Sequence, residues 1–166
     1  MNEISYSDFT KYDSCRTPLL NMVYFNGMDL DTILIKDELI IPLGRYVSNH
    51  NCILDVKQDG TFIYTLTNGI LEFNFDIYVE LELEEGGTED WADIVVELRN
   101  SDGLIKRIRD HKVGSGIHMM TFHAFVYVNR HENLYFTISS PDKGDVIVRC
   151  YNDENDVTFN GSVVLH

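Results

Sequence analysis

The chain has 166 residues, of which 44% are hydrophobic and 24% are charged; this composition is typical of one globular domain and unlike that of a disordered protein. Its 13 Lys and Arg residues against 27 Asp and Glu residues give a formal net charge of -14. A surface this acidic repels phosphate backbones, so nucleic acid is excluded as a direct partner. No apolar run is long enough to insert into a membrane, and the first residues do not resemble a secretory signal. We therefore expect the protein to be made and folded in a reducing cytoplasm.

Residues 1–30 mix aromatic and polar side chains without a clear period and contain the helix- and strand-breaking pairs TP and NG. We predict that they form an N-terminal arm or anchor, separate from a folded domain of residues 31–166. Part of the arm is too apolar to be a purely solvated tail. We expect this part to pack on a neighbouring subunit or a larger particle, and it comprises Leu19, Leu20, Met22, Val23, Tyr24 and Phe25.

Downstream of the arm, the sequence predicts at least seven β-strands and little helix. The clearest strand is GILEFNFDIYVELELEE, Gly69 to Glu85, in which apolar residues hold the odd positions and mostly acidic or polar residues hold the even ones. A period of two places the odd set on one face of a sheet, where we expect it to fill a core. Shorter segments, also rich in β-branched and aromatic residues, are separated by turn signals such as QDG, NSDG and TNG. The pattern indicates an all-β antiparallel sandwich, with a jelly roll as the leading topology.

The sequence offers no constellation that indicates catalysis. VGSGIH is not a nucleophile elbow, and no phosphate-binding glycine motif is present. His118 and His123, the closest pair of histidines, differ by an odd number of residues and so lie on opposite faces of a strand, where they cannot share an ion. The three cysteines are widely spaced and suggest neither a zinc site nor a disulfide framework. We predict a protein that is not an enzyme and has no cofactor.

Acidic loops provide one candidate ligand site. Trp91 lies next to Asp90 in a carboxylate-rich turn, and Asp153 and Asp156 lie in a second such segment. Clustered oxygens on loops can bind calcium, and a tryptophan beside carboxylates can stack on a sugar. The competing interpretations are a solvated charged rim and a tryptophan that closes the end of the sandwich. Calcium binding is the less favoured expectation because the spacing matches no known calcium loop.

Three segments carry a resemblance to a known family. The segment NCILDVKQDGTFIYTLTNGILEFNFDIYVEL comes first, HMMTFHAFVYVNRHENLYFTISSPDKGDVIV follows it, and the chain closes with TFNGSVVLH. Together they resemble the strand order of the trimeric jelly-roll heads of the tumour necrosis factor and complement globular-head type. The resemblance covers Leu39 to His166 and includes the Asn68-Gly69 turn before a long core strand and Gly161 near the last strand. The same head fold is similar to knob and capsid-decoration proteins of viruses and phages.

The resemblance implies a homotrimer in which aromatic side chains of one sheet line the threefold contact. The predicted interface residues are Tyr64, Tyr78, Phe125, Tyr127, Tyr135 and Phe136. From it we hypothesise a structural protein of a viral or phage particle, made in the host cytoplasm, which binds other virion or capsid proteins through its N-terminal arm. The alternative is a carbohydrate-binding or receptor-binding module, of the virion or of the cytoplasm, whose ligand is a glycan or a host receptor.

Overall fold

A computed structural model describes residues 22–26, 34–35, 38–41, 43, 45–48, 53–57, 61–83, 89–140, 147–150 and 159–166. In this part of the chain all regular structure is β-strand, and thirteen strands form two antiparallel sheets. The strands are β1 (Met22–Asn26), β2 (Leu34–Ile35), β3 (Leu39–Ile40), β4 (Arg45–Ser48), β5 (Leu54–Lys57), β6 (Phe62–Thr65), β7 (Gly69–Glu82), β8 (Ala92–Asn100), β9 (Gly103–Val113), β10 (Gly116–Val128), β11 (Asn133–Ser139), β12 (Ile147–Cys150) and β13 (Phe159–Leu165). The predicted all-β sandwich is therefore confirmed.

The first sheet is built around β7, its longest strand. On one side β7 pairs with β10 along almost its whole length. On the other side β7 pairs first with β13 and then, further along, with β12. The sheet continues from β13 through β1 to β4, and β2 pairs with β12. Among the described strands β10 pairs only with β7, so it forms one edge of this sheet.

The second sheet has the order β5-β6-β11-β8-β9, with β3 also paired to β11. Its strands are antiparallel neighbours, and β8 and β9 form a hairpin closed by the predicted NSDG turn. Gly103 in that turn has φ of 129°, a conformation that side chains with a Cβ strongly disfavour. The Asn100 side-chain oxygen accepts hydrogen bonds from the backbone N–H groups of Asp102 and Gly103. The turn forms where its sequence predicts, and the side chain of Asn100 supplies its hydrogen-bond acceptor.

The core lies between the two sheets and is filled by the alternating residues that the sequence indicated. Leu71, Phe73, Phe75, Ile77 and Val79 of β7 are fully buried. Phe136 of β11 is at the centre of the aromatic packing. Its ring lies 5.0 Å from that of Phe122, 5.5 Å from Phe75 and 6.1 Å from Phe73, centroid to centroid. This packing ties the second sheet to the first through side chains of three strands.

Gly161 allows β13 to lie close to β7. A Cβ built at this position would come within 2.2 Å of the Asn74 backbone oxygen and 2.6 Å of the Phe75 ring. No side chain fits in that space, so the glycine near the last strand is a requirement of sheet packing.

Part of the predicted arm belongs to the sandwich. Met22–Asn26 is strand β1, which lies between β13 and β4, and its Val23 and Phe25 side chains are fully buried. The assignment of these five residues to a separate arm is therefore wrong, because alternation over so short a segment is hidden by the irregular residues around it. Residues 1–21 and 27–30 of the predicted arm lie outside the described residues, and the separation of the chain into arm and domain remains a prediction for them.

Candidate functional site

The outer face of the first sheet is the main candidate site, because it exposes apolar side chains that the sandwich does not cover. Its described side chains come from β1, β7, β10 and β13, on the side opposite the core. Seven large hydrophobic residues are exposed in the described part of the chain, and all except Leu104 lie on this face. The six are Met22, Ile70, Ile117, Met119, Phe125 and Tyr127, with exposed fractions from 43% to 68%.

The strand register arranges these side chains in rows across the sheet. Met22, Val164, Glu72 and Phe125 lie side by side in successive strands, and Ile70 and Tyr127 form the next row outward. Paired residues of antiparallel strands project to the same side, so these residues form one continuous apolar patch around Glu72. We call it the Phe125 patch.

A second, smaller apolar group lies at the other end of the face. Tyr78 of β7 is paired with Met119 of β10, and Ile117 follows in the next row beside Glu80. Between the two apolar groups the face is polar. Thr121 there donates a hydrogen bond of 2.9 Å to Asp76, and Asn74 and Ser162 complete the adjacent row.

Glu72 lies at the centre of the Phe125 patch with a histidine on each side. Its Oε1 is 3.0 Å from Nε2 of His123, and its Oε2 is 2.6 Å from Nε2 of His166. These contacts hold the pKa of Glu72 below its usual value, chiefly through the hydrogen bond to His123 and then the one to His166. The Phe125 ring contacts both imidazoles, and its centroid lies 5.2 Å from that of His123 and 5.6 Å from that of His166.

These three polar residues, the His–Glu–His cluster, do not form a metal site. His123 is on β10 and His166 follows β13, and these strands flank β7 on opposite sides. Each imidazole contacts a different oxygen of the carboxylate, His123 at Oε1 and His166 at Oε2. In the described residues no group of three metal-ligating side chains is arranged to hold an ion.

The outer face of the second sheet is closed by its own charged side chains. Glu97 of β8, which is 3% exposed, pairs with Arg99 and Arg107. Asp93, which is 4% exposed, accepts hydrogen bonds from Arg109 and from the backbone N–H of Lys112. The apolar stems of these arginines cover the strand while their charges meet the carboxylates beneath them.

The predicted interface residues are distributed over three places. Tyr78, Phe125 and Tyr127 lie on the outer face of the first sheet, two of them in the Phe125 patch. Tyr64 and Tyr135 lie on the outer face of the opposite sheet, where Tyr64 stacks on His131 and Tyr135 meets Phe62 edge-on. Phe136 is fully buried in the core. We therefore correct its assignment: a side chain enclosed by its own subunit has no surface to offer to another.

The predicted ligand loop is only partly described. Trp91 is half-buried immediately before β8, and the Lys112 ammonium lies 5.1 Å from the centroid of its ring. Asp90 is exposed beside it. Asp153 and Asp156 lie outside the described residues. One face of the indole thus holds a cation already, and a sugar or calcium site at this end of the sandwich remains a prediction.

A shallow groove of about 240 Å³ runs between the edge strands β9 and β10. Its lining includes Arg109, Asp110, Met119 and Thr121. The group that could attract an anion here is Arg109, which already donates to Asp93. The groove therefore lacks the few convergent polar groups in an enclosed apolar cavity that characterise a small-molecule site.

The sequence alone did not indicate the His–Glu–His cluster. Glu72 is 51 residues from His123 and 94 residues from His166 along the chain. Parity placed His118 and His123 on opposite faces of one strand, but the partners of His123 follow only from the register of β7 with β10 and β13.

The β-sandwich fold is shared with proteins of known structure. No protein-family profile and no curated protein matches the sequence. Solved structures do match: the chain is similar to the Eiger TNF of S. frugiperda, with a TM-score of 0.61 and 12% identity over 87% of this chain and 92% of that one. It is similar to murine APRIL, with a TM-score of 0.57 and 11% identity over 87% of this chain and 98% of that one. It is also similar to the globular domain of zebrafish complement 1qA protein, with a TM-score of 0.54 and 12% identity over 85% of this chain and 94% of that one.

The resemblance to heads of the tumour necrosis factor and complement type is thus confirmed as a resemblance of fold. The protein has the β-sandwich of those heads, and the likeness extends over most of the chain and nearly the whole of each matched structure. No helix long and apolar enough to cross a membrane occurs in the described part of the chain.

Proposed function

We propose that this protein is a non-enzymatic, self-associating head that forms a homotrimer through the outer face of the first sheet. The observation that carries the proposal is the concentration of six exposed large apolar side chains on that one face. Isolated exposed hydrophobic residues are normal, but six of them on one sheet face, four in the contiguous Phe125 patch, mark a surface that a partner covers. The family resemblance implies that the partner is a second copy of the same chain, and that the ring closes at three.

The two sheets differ in the way this proposal requires. On the second sheet, the buried carboxylates and the arginines above them are satisfied within the subunit. On the first sheet, Phe125 and Tyr127 are 60% and 68% exposed, larger fractions than those of the other exposed hydrophobic residues. Removing this apolar area from water is the main favourable contribution that association can add to a sandwich that already has a core.

The particle function is the finer part of the proposal. We propose that the trimer is a structural subunit of a viral or phage particle and binds other particle proteins through the N-terminal segment. Its support is the resemblance of the head fold to knob and decoration proteins together with the apolar pair Leu19 and Leu20 in the N-terminal segment. Because β1 is part of the sheet, the segment available for such attachment ends before Met22. A glycan or a receptor remains the alternative partner of the exposed loops.

The test of self-association is the solution mass of the full chain, measured by light scattering and sedimentation. We expect three times the 19.2 kDa chain mass. Phe125→Glu places a second carboxylate in the patch, beside Glu72, and should shift the protein to monomer, as expected when a large aromatic contact of an interface is lost. Leu104→Glu is the matched control, since Leu104 is 50% exposed but lies on β9 of the other sheet. A monomeric wild type, or equal effects of the two variants, would overturn the proposal.

A truncated chain that begins at Met22 tests the role of the N-terminal segment. We expect this chain to remain trimeric and to lose attachment to its particle, because β1 and the Phe125 patch are intact. Truncation at Asp31 is unsuitable because it removes β1 and its two buried core side chains. Loss of the trimer on deletion of residues 1–21 would show that the segment, and not the sheet face, joins the subunits.

A further inference from the structure

The His–Glu–His cluster lies where a partner of the Phe125 patch must cover it. His123 and His166 are 51% and 48% exposed in their side chains, whereas Glu72 between them is 24% exposed. Both imidazoles contact the Phe125 ring. A second copy that buries Phe125 therefore also removes water from the two histidines.

The charge composition of this face makes the histidines unusual. Along β7 the outward side chains include four carboxylates, those of Glu72, Asp76, Glu80 and Glu82. The described outward residues of β10 and β13 contribute no lysine or arginine, and Met22 is the described outward side chain of β1. The side chains of β4 and β12 lie outside the described set. Apart from the two histidines, the titratable groups facing the cluster among the side chains that the structure describes are Asp76 and the phenols of Tyr78 and Tyr127.

The net charge of the cluster depends on how many of its two imidazoles carry a second proton. The pKa of Glu72 is held below its usual value by the two hydrogen bonds, so its carboxylate stays ionised at mildly acidic pH. Histidine ordinarily gains its proton at about pH 6.5. The cluster is therefore anionic with two neutral imidazoles, neutral with one protonated imidazole and cationic with two.

We propose that this cluster makes assembly of the subunits pH-dependent, because covering the face selects the neutral, singly protonated state. Moving a net charge out of water costs much more than moving a compensated ion pair with its hydrogen bonds. The acidic neighbours on β7 oppose the anionic state further. Association therefore takes up a proton from neutral solution and is tighter at mildly acidic than at mildly alkaline pH. This inference rests on the proposed function and adds a regulatory property to the same face.

The test is the association constant of the full chain as a function of pH, measured by sedimentation. Proton linkage tightens association by at most about tenfold per pH unit for each proton taken up, and the change should fall between about pH 8 and pH 6. The double variant His123→Gln, His166→Gln keeps polar side chains but cannot be protonated, and its association should not vary over this range. His111→Gln, on the second sheet and exposed, is the matched control and should keep the wild-type profile.

Glu72→Gln separates charge from packing. It preserves the size of the side chain, replaces one acceptor oxygen by an amide donor and removes the anion, so the cluster is neutral when both imidazoles are neutral. Its association should be tighter at about pH 8 than at about pH 6, the reverse of the wild-type order. A merely structural role for Glu72 would weaken association equally at every pH and would overturn the inference.

The outcomes separate this inference from the proposed function. Association with equal constants at all pH values overturns the inference and leaves the self-associating head intact. A monomer at every pH overturns both. Direct measurement of proton uptake on assembly is the second readout: uptake in the wild type that is absent in the double histidine variant supports the proposal, and equal uptake in both proteins overturns it.

Discussion

The outer faces of the two sheets have similar alternating sequences but opposite surroundings. On β8, the outward Asp93 and Glu97 are buried beneath Arg107, Arg109 and Arg99, so that the subunit covers its own carboxylates. On β7 and β10, the outward face is left open, with aromatic rings exposed around one carboxylate and two histidines. An acidic outward face can thus be completed either by the same chain or by another molecule.

The difference comes from which strand lies next to each face. The neighbour of β8 is β9, whose Arg107 and Arg109 reach the carboxylates of Glu97 and Asp93, and Arg99 of β8 itself adds a third arginine. The neighbours of β7 are β10 and β13, whose outward residues are aromatic, aliphatic, polar or histidine. The first arrangement satisfies charge internally, and the second leaves apolar side chains exposed in the subunit.

The largest expected effect contrasts a buried with an exposed phenylalanine. Phe136→Ala should lower the free energy of unfolding by about 3–5 kcal/mol, because it empties the centre of a core that includes Phe73, Phe75 and Phe122. Phe125→Ala should change the stability of the monomer by about 0.5 kcal/mol or less. Urea denaturation at a concentration where the protein is monomeric measures both. Equal losses would mean that Phe125 is packed within its own subunit.

The second prediction compares one outward aspartate from each sheet. Asp93→Ala should cost about 2–3 kcal/mol, because it removes the acceptor of Arg109 and leaves the backbone N–H of Lys112 without its partner. Asp76→Ala, whose side chain accepts one bond from Thr121 on the open face, should cost about 0.5–1 kcal/mol. Thermal and urea unfolding of the two variants test the contrast. A larger loss for Asp76 would contradict the description of the second sheet as the internally closed one.

The third prediction concerns the pH dependence of stability through Glu97. Burial raises the pKa of this carboxyl, but the hydrogen bonds and charges of Arg99 and Arg107 outweigh burial and leave the pKa below its ordinary value. A depressed folded-state pKa contributes stability above the unfolded-state value of about 4.3, and this contribution is lost as the pH falls through the folded-state pKa. Glu97→Gln should therefore be about 1–2 kcal/mol less stable than wild type at neutral pH.

That difference should shrink in acid, where the wild-type carboxylate becomes protonated as well. Unfolding curves from neutral to strongly acidic pH measure it. Glu38→Gln serves as the control, since Glu38 contacts Arg99 from the exposed end of the same network. A difference that stays constant into strong acid would show that the charge of Glu97 contributes nothing to stability.

The smallest expected effect is at that exposed end. Glu38 pairs with Arg99 at 3.4 Å, and its side chain is 45% exposed. Glu38→Gln should change the free energy of unfolding by about 0–0.5 kcal/mol, because solvent and salt screen such pairs. Urea denaturation at low and high salt measures it. A loss comparable to that of Asp93→Ala would show that the covering arginines depend on exposed partners as well as on the buried carboxylates.

Strand patterns were the most predictable part of this protein. The alternation from Gly69 to Glu85 located β7, and its odd residues fill the core as expected. The Asn100 to Gly103 turn was also predictable from the sequence, and its glycine has the positive φ that the turn needs. The short strand β1 was missed because five residues carry too little period to be recognised without their partners β13 and β4.

The candidate site was less predictable. Of the predicted interface residues, Tyr78, Phe125 and Tyr127 lie on the outer face of the first sheet, whereas Tyr64 and Tyr135 lie on the other sheet and Phe136 in the core. Aromatic content does not reveal which face of which sheet a residue occupies. Parity along a strand distinguishes inside from outside only once the core side of that strand is known.

The sequence by itself determined the strand-rich architecture, because alternation and turn chemistry act over a few neighbouring residues. It also determined the resemblance to the jelly-roll heads, whose strand order it repeats. Only the tertiary structure decided that one acidic face is closed by arginines while the other surrounds Glu72 with His123, His166 and Phe125. These contacts depend on the register between strands far apart in the chain, and register is set by the packing of the whole core.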